Sequence, residues 1–392
     1  MLRRKSQNGY LDNAVELTTE KHNYESKRNN IIMKERSQIL IGNKKISLTS
    51  PTYFIADIAS NHDGSIERAK KLIWDAKNAG VDAVKFQHFL AEEIVSDYGF
   101  KELGGQFGHQ SQWKDSVFDT YKKCECKRNW TEELYKTAKE AGIDFLTTPY
   151  DFQAVDLFDS MIPAYKIGSG DITWLELLEH VAKKGKPVII STGASTLQDV
   201  KNAVAVVEKY TNKIIILQCN TNYTGLLSNY YHLNLNVIRT YKSLFPDYEV
   251  GLSDHTPDYT AVLGAVALGA RVIEKHFTDD RTRMGPDHPF SMDPNAWSEM
   301  IAETRKLEHA LGNGIKIIEE NEIDTVILQR RCLRLNSDKK IGEPLFKEDI
   351  NILRPAPLDS IPPSKITEYV GRKFKIEVKK NSYLTEEMFE YD

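Results

Sequence analysis

Short apolar runs recur along the chain from residue 53, at 53–58, 82–87, 143–147, 164–168, 187–191, 213–218, 248–252 and 271–276. Each is rich in Val, Ile, Phe or Tyr, and apolar residues fall on both faces. That pattern predicts fully buried strands. Amphipathic helical patterns separate them. In Ser65–Gly80 the apolar positions are Ile66, Ala69, Leu72, Ile73 and Ala76, with Ser65 as N-cap and Gly80 as the stop. Similar helices are predicted over 131–141, 173–184, 196–209, 258–269 and 294–311. Eight strands alternating with helices give an α/β fold, a (β/α)8 TIM barrel. A doubly wound sheet is the runner-up, but Asn61-His62-Asp63-Gly64 is no dinucleotide fingerprint.

The rhythm stops near residue 320. Residues 327–392 hold short alternating runs with turn signals such as Lys340-Ile341-Gly342 and Arg354-Pro355-Ala356-Pro357. They predict a separate, small, mostly β domain, with 46–315 as the barrel domain and 316–326 as linker. Residues 1–45 carry ten Lys or Arg, five Asp or Glu and few apolar positions, which predicts a mobile extension or loosely docked arm.

Composition narrows the class. With 52 Lys+Arg against 56 Asp+Glu the net charge is −4, which argues against a nucleic-acid partner. The longest apolar stretches are about half the roughly 20 residues of a membrane span. No apolar core follows Met1-Leu-Arg-Arg-Lys5, so no secretory signal is expected. Four cysteines make no disulfide framework, and a cytoplasmic setting is expected.

The polar residues gather where barrel chemistry gathers, at the C-terminal strand ends. These are Asp57, Lys85 with Gln87, Thr147-Thr148, Lys166 followed by Ser169-Gly170-Asp171, Ser191, Asn220-Thr221-Asn222-Tyr223, Ser253-Asp254-His255 and Glu274-Lys275-His276. Two lysines among small hydroxyls and glycines suit an anion, a phosphate or phosphate plus carboxylate. A structural ion pair is the alternative. His255 and His276, on neighbouring strands, suit a divalent metal. Asp57 and Asp171 are candidate general acid/base carboxylates. His62, His88 and His109 are weaker candidates for substrate contact.

Phe54-Ile-Ala-Asp-Ile-Ala-Ser-Asn-His-Asp-Gly64, Val84-Lys-Phe-Gln87, Tyr165-Lys-Ile-Gly-Ser-Gly-Asp171, Gly251-Leu-Ser-Asp-His255, Glu274-Lys-His-Phe277 and Gly285-Pro-Asp-His288 together resemble the sialic acid synthase family. The tail, with Arg330-Arg-Cys-Leu333, Gly342-Glu343 and Val370-Gly-Arg372, resembles the antifreeze-like (SAF, β-clip) domain of these enzymes. The resemblance implies condensation of phosphoenolpyruvate (PEP) with the open-chain aldehyde of an acylamino sugar, giving a nine-carbon 2-keto acid and phosphate. It implies PEP contacts at Lys85, Thr148, Lys166, Ser169, Ser191 and Ser253. A further contact falls at Thr221 or its neighbours, because the family's Cys-Thr-Asn-x-Tyr stands here as Cys219-Asn-Thr-Asn-Tyr223. Gln87, Tyr223, Asp287 and Arg331 would hold the sugar, Arg331 (adjacent to Arg330) from the partner of a domain-swapped homodimer. His255 and His276 would bind Mn2+ or Mg2+. Asp57 and Asp171 stand where the family usually has Glu, which shortens each carboxylate's reach by about 1.5 Å. A Schiff-base aldolase using Lys166 or Lys85, and a non-catalytic carbohydrate-binding protein, are the competing readings.

Overall fold

The structure, a computed structural model, describes residues 39–390 except 105 and 107. These residues divide into two compact units, one ending at 313 and one beginning at 314. The first unit opens with a hairpin, β1 (Ile39–Ile41) and β2 (Lys44–Ile46). Eight strands follow: β3 (Tyr53–Asp57), β4 (Ala83–His88), β5 (Asp144–Pro149), β6 (Tyr165–Ile167), β7 (Val188–Ser191), β8 (Ile214–Cys219), β9 (Glu249–Asp254) and β10 (Val272–His276). They form one parallel sheet in the order β5-β4-β3-β10-β9-β8-β7-β6, and β5 lies beside β6, so chain order runs round a nearly closed ring. This is the (β/α)8 TIM barrel that the alternation of strands and helices predicts.

Within each strand the side chains alternate inward and outward. The outward set, including Phe54, Val84, Phe86, Phe145, Ile190, Ile216 and Ile273, packs on the helices. The inward set changes character along the strand. At the N-terminal end it is apolar: Tyr53, Ile55, Ala83, Leu146, Ala164, Ile189, Ile215, Leu217 and Val272. Two residues further on, the same strands point Asp57, Lys85, Thr148, Lys166, Ser191, Cys219 and Glu274 inward. The barrel is thus filled by hydrocarbon at one end and lined by polar groups at the other. Gly251 is an interior position with no room for a side chain, since a Cβ there would lie 2.1 Å from the Val272 carbonyl oxygen.

The hairpin corrects the expectation for residues 39–45. Ile39, Ile41 and Ile46 are fully buried in the apolar layer inside the barrel, so this part of the predicted loose arm is a plug across its N-terminal end. Lys44 pairs with Asp82, which also accepts a hydrogen bond from the Phe54 N–H. Residues 1–38 of the predicted extension lie outside the described residues. The predicted N-cap at Ser65 is present, its hydroxyl accepting from the Arg68 N–H at the head of the helix Ile66–Asn78.

The second unit is small and mostly β. Strands β11 (Cys332–Leu335) and β12 (Ile350–Leu353) pair antiparallel, and further isolated bridges tie the tail together. Leu333, Leu335, Leu345, Ile361, Phe374, Leu384 and Phe389 make its core. The segment 316–326, expected as a linker, carries a short turn at Glu320–Glu322 and the start of a helix, Ile323–Gln329. Among the described residues no helix is long and apolar enough to cross a membrane.

Candidate active site

The polar inward layer comes level because the strands are in register. Asp57 pairs with Lys85 on one side and with His276 on the other; Ser253 pairs with Cys219 and with Glu274. In a parallel sheet, paired residues face the same way, so these groups share the pocket floor. The pocket opens at the C-terminal end of the barrel.

Two lysines anchor the floor. Lys85 Nζ lies 2.6 Å from Asp57 Oδ2, 3.2 Å from Thr148 Oγ1 and 3.9 Å from Glu274 Oε2. Lys166 Nζ lies 3.1 Å from Glu274 Oε1, which also accepts from Ser253 Oγ at 3.1 Å. Burial opposes the charge on Lys85, yet the carboxylates of Asp57 and Glu274 outweigh it and hold the amine above its ordinary pKa. Burial opposes the charge on Asp57 too; Lys85, His276 and the Gln87 amide overcome it and pull the carboxyl down to about 2. Lys85 is therefore an ammonium and Asp57 a carboxylate. Ser191 Oγ and Glu274 Oε2 are buried there without a hydrogen-bond partner.

Of the predicted anion-site residues, Lys85, Thr148, Lys166, Ser169, Ser191 and Ser253 all line this pocket. Thr221 does not; its methyl packs where a Cβ on Gly193 would stand, next to Ser169. Gln87, Tyr223 and Asp287 line the upper wall. Gln87 donates to Asp57 at 2.9 Å, and Asp287 Oδ2 accepts from Ser60 N and Oγ at 3.0 and 2.6 Å. Asp171 closes the short turn Ser169–Asp171 and does not itself line the pocket; its Oδ2 lies beside Gly168, which does. Burial pushes its carboxyl up to about 6, partly countered by Lys166. Arg331 belongs to the second unit, where it lines a groove with Arg330, Asp359 and Glu386.

His255 and His276 face the same space, ring centroids 5.3 Å apart, with Tyr223 against both. His255 Nδ1–H donates to the Asn220 carbonyl at 2.9 Å, which leaves the Nε2 lone pair free. Burial, with His276 alongside, pushes His255 well below the ordinary histidine value, so its ring is neutral. His276 Nδ1 is buried with no partner. The free lone pair of His255 Nε2 and the unpartnered His276 Nδ1 fit a divalent cation, with His276 Nε2 3.7 Å from Asp57 Oδ2. Among the described residues no group of three or more His, Cys, Asp or Glu is placed to hold a metal, so the further ligands would be substrate oxygen and water.

The alternation rule also sorts the remaining candidates. Lys275 and Asp254 point outward and form a fully buried pair at 2.7 Å, a structural role. His88 likewise points outward, held by Thr147 and Thr131 at 2.7 and 2.8 Å. His62 is buried against Trp130, away from the pocket. Neither touches the site, whereas His109 does. Glu274 is the floor residue that the sequence reading did not single out. Its signal was its place two residues before His276, on the inward side. Cys219 and Cys124 line the pocket, but burial pushes their thiols up to about 11 and 12.

Comparison with known proteins shows the family. Residues 72–316, more than half of the chain, match the NeuB family. The chain belongs to the NeuB family of sialic acid synthases. It is 34% identical over 360 residues to the N,N'-diacetyllegionaminic acid synthase of Legionella pneumophila, covering 89% of this chain and 99% of that protein. It is 31% identical over 340 residues to the human N-acetylneuraminate-9-phosphate synthase, covering 86% and 92%. The crystal structure of the N-acetylneuraminic acid synthetase of Leptospira borgpetersenii superposes with a TM-score of 0.66 at 29% identity, covering 74% of this chain and 95% of that one. The NeuB relatives named are thus synthases of nonulosonic acids, and the pocket sits where a TIM barrel keeps its chemistry.

Proposed function

We propose that this NeuB-family chain condenses PEP with the open-chain aldehyde of an acylamino sugar, yielding a nine-carbon 2-keto acid and inorganic phosphate. The observation that carries the reading is the pocket floor: two buried lysines among four hydroxyls, below two imidazoles. The ammonium groups of Lys85 and Lys166 receive the phosphate and carboxylate of PEP, with Thr148, Ser169, Ser191 and Ser253 donating hydrogen bonds. Thr221 is retained only as a shaping residue behind Ser169. Gln87, Tyr223 and Asp287 orient the sugar above PEP. In a domain-swapped homodimer, Arg331 of the partner subunit would complete that wall.

In the reaction, C3 of PEP forms a bond to the aldehyde carbon, leaving an alkoxide there and a cation at C2. Water adds to C2 and gives up a proton, and the resulting tetrahedral centre expels phosphate to leave the ketone. Asp171, its Oδ2 beside the lining residue Gly168 and its carboxyl raised to about 6, takes that proton; the alkoxide is protonated in turn. Asp57 fixes Lys85 as an ammonium. A divalent cation, Mn2+ or Mg2+, held by His255 and His276 would supply Lewis acidity at the aldehyde oxygen.

The aldolase alternative needs a neutral lysine as nucleophile, and the charges around Lys85 work against one. Isotopic labelling separates the routes. With 18O in the bridging oxygen of PEP, the proposed C–O cleavage carries the label into phosphate, and the product has the mass of sugar plus pyruvate. Label retained in the organic product, or a pyruvate adduct trapped by borohydride, contradicts the proposal.

A further inference from the structure

Strand β3 runs on into a turn that contains Ser60-Asn61-His62-Asp63, a motif to which the proposed reaction gives no part. Because β3 pairs with β10, this turn lies beside the loop that follows β10 and carries Asp287. Three of the four side chains reach across to that loop. Ser60 donates to Asp287 Oδ2 twice, from its N–H at 3.0 Å and from its hydroxyl at 2.6 Å. Asn61 Nδ2 donates to the Phe277 carbonyl and to Ser291 Oγ, both at 2.9 Å, and Ser291 Oγ donates to the Asp287 carbonyl at 2.6 Å. Asp63 Oδ1 accepts from His288 Nε2 at 3.0 Å, and His288 Nδ1 lies 2.7 Å from Thr278 Oγ1. Asn61, His288 and Ser291 are fully buried. Arg68 braces the turn, donating to the Asn61 carbonyl at 2.8 Å and pairing with Asp63 at 3.1 Å and with Asp279.

Two kinds of hold therefore meet on Asp287. Ser291 and the neighbouring His288 fix its backbone, and Ser60 fixes Oδ2. With both ends held, the two side-chain torsions are set, and with them the direction of the second carboxylate oxygen. A hydroxyl donating to a carboxylate is a charge-assisted bond, among the stronger kinds. Asn61 and Asp63 hold the loop from outside the pocket, whereas Ser60 and its acceptor both line it. The Ser60 bond thus ends on a group that meets the substrate.

Resting on the proposed role of Asp287 toward the sugar, we infer that Ser60 is a positioning residue: it orients the Asp287 carboxylate, and through it sets the affinity for the acceptor and not for PEP. The bonds from Asn61 through Ser291 and from Asp63 to His288 carry the loop into place for it.

The test follows phosphate release by the full chain with PEP, Mn2+ and each of two acceptors, a 2-acetamidohexose and a 2,4-diacetamido-6-deoxyhexose, and compares variants on the better one. Ser60→Ala should raise the sugar KM about ten-fold and leave the PEP KM within about two-fold, as loss of one hydrogen bond to a charged group implies. Ser60→Thr, which keeps the hydroxyl, should return the sugar KM to within about three-fold of the wild type. In an Asp287→Ala background, Ser60→Ala should add less than about two-fold, because no carboxylate is left to orient. An unchanged sugar KM in Ser60→Ala overturns the inference, and a lowered melting temperature alongside it makes Ser60 a structural brace only. Full additivity of the two changes also overturns it and makes Ser60 a direct contact of the sugar. A wild-type sugar KM in Asp287→Ala removes the premise and the inference with it. No phosphate release by the wild type with PEP and either sugar contradicts the synthase reading itself.

Discussion

Asp57 Oδ2 sits 2.6 Å from Lys85 Nζ, with both side chains almost wholly shielded from water. The pairing follows from register: Asp57 on β3 is level with Lys85 on β4, and both point into the barrel. Each charge persists in the interior because the other is there, and an anionic ligand meets a preformed ammonium.

Removing one partner tests this. Asp57→Asn leaves Lys85 with only the more distant Glu274 as counter-charge. Loss of one member of a buried pair typically costs about 3–5 kcal/mol. We expect a loss near the lower end, because Glu274 remains, together with at least a 100-fold fall in PEP-dependent turnover. Urea denaturation and a phosphate-release assay measure the two; unchanged stability would mean that the pair is not formed.

Asp171 gives a pH dependence. Its carboxyl titrates near 6, so the base is present above that pH and lost below it. Turnover should rise with pH through about 6 and level off, and Asp171→Asn should lower kcat by about 100-fold or more and abolish that limb. The stability effect has the opposite sense. A carboxyl raised by folding contributes stability that is present below its unfolded pKa and lost as pH rises through 6. Asp171→Asn should therefore stabilise the fold at pH 7, with the gain vanishing below about pH 4. A destabilised Asp171→Asn protein at pH 7 would contradict the placement.

His255 and His276 predict a cation requirement. Treatment with EDTA should abolish turnover, and Mn2+ or Mg2+ should restore it. His255→Ala should bind Mn2+ at least ten-fold more weakly by calorimetry. Undiminished Mn2+ affinity in that variant would remove the imidazole pair as the site.

The hairpin plug predicts that Ile41→Ala destabilises the barrel by about 2–5 kcal/mol, the range for truncating a buried Ile. Leu40, its half-exposed neighbour, should tolerate the same change within about 0.5 kcal/mol. Thermal denaturation of the two variants checks both.

The strands and most pocket residues were legible because one rule governs them. A buried strand is apolar on both faces, and most of the polar residues that interrupt it at its C-terminal end line the pocket. The same rule, carried one step further, separates Lys85 and Glu274 from Lys275 and His88 by the parity of their position. Glu274 was given no role of its own because its partners, Ser253 and Lys166, lie on other strands. Residues 39–46 were hidden for a different reason. The apolar run Ile39-Leu-Ile41 and Ile46 are too short a pattern beside the charged residues 1–38, and only the open end of the barrel reveals what the isoleucines cover. The bond from Ser60 to Asp287 joins residues 227 positions apart, and nothing in the sequence pairs them.

The most direct test of the account is the stoichiometry of phosphate release from PEP in the presence of Mn2+, with and without an acylamino sugar. The account predicts release only when both substrates are present, one phosphate for each nine-carbon keto acid formed. Release that ignores the sugar, or a keto acid formed without release of phosphate, would contradict it.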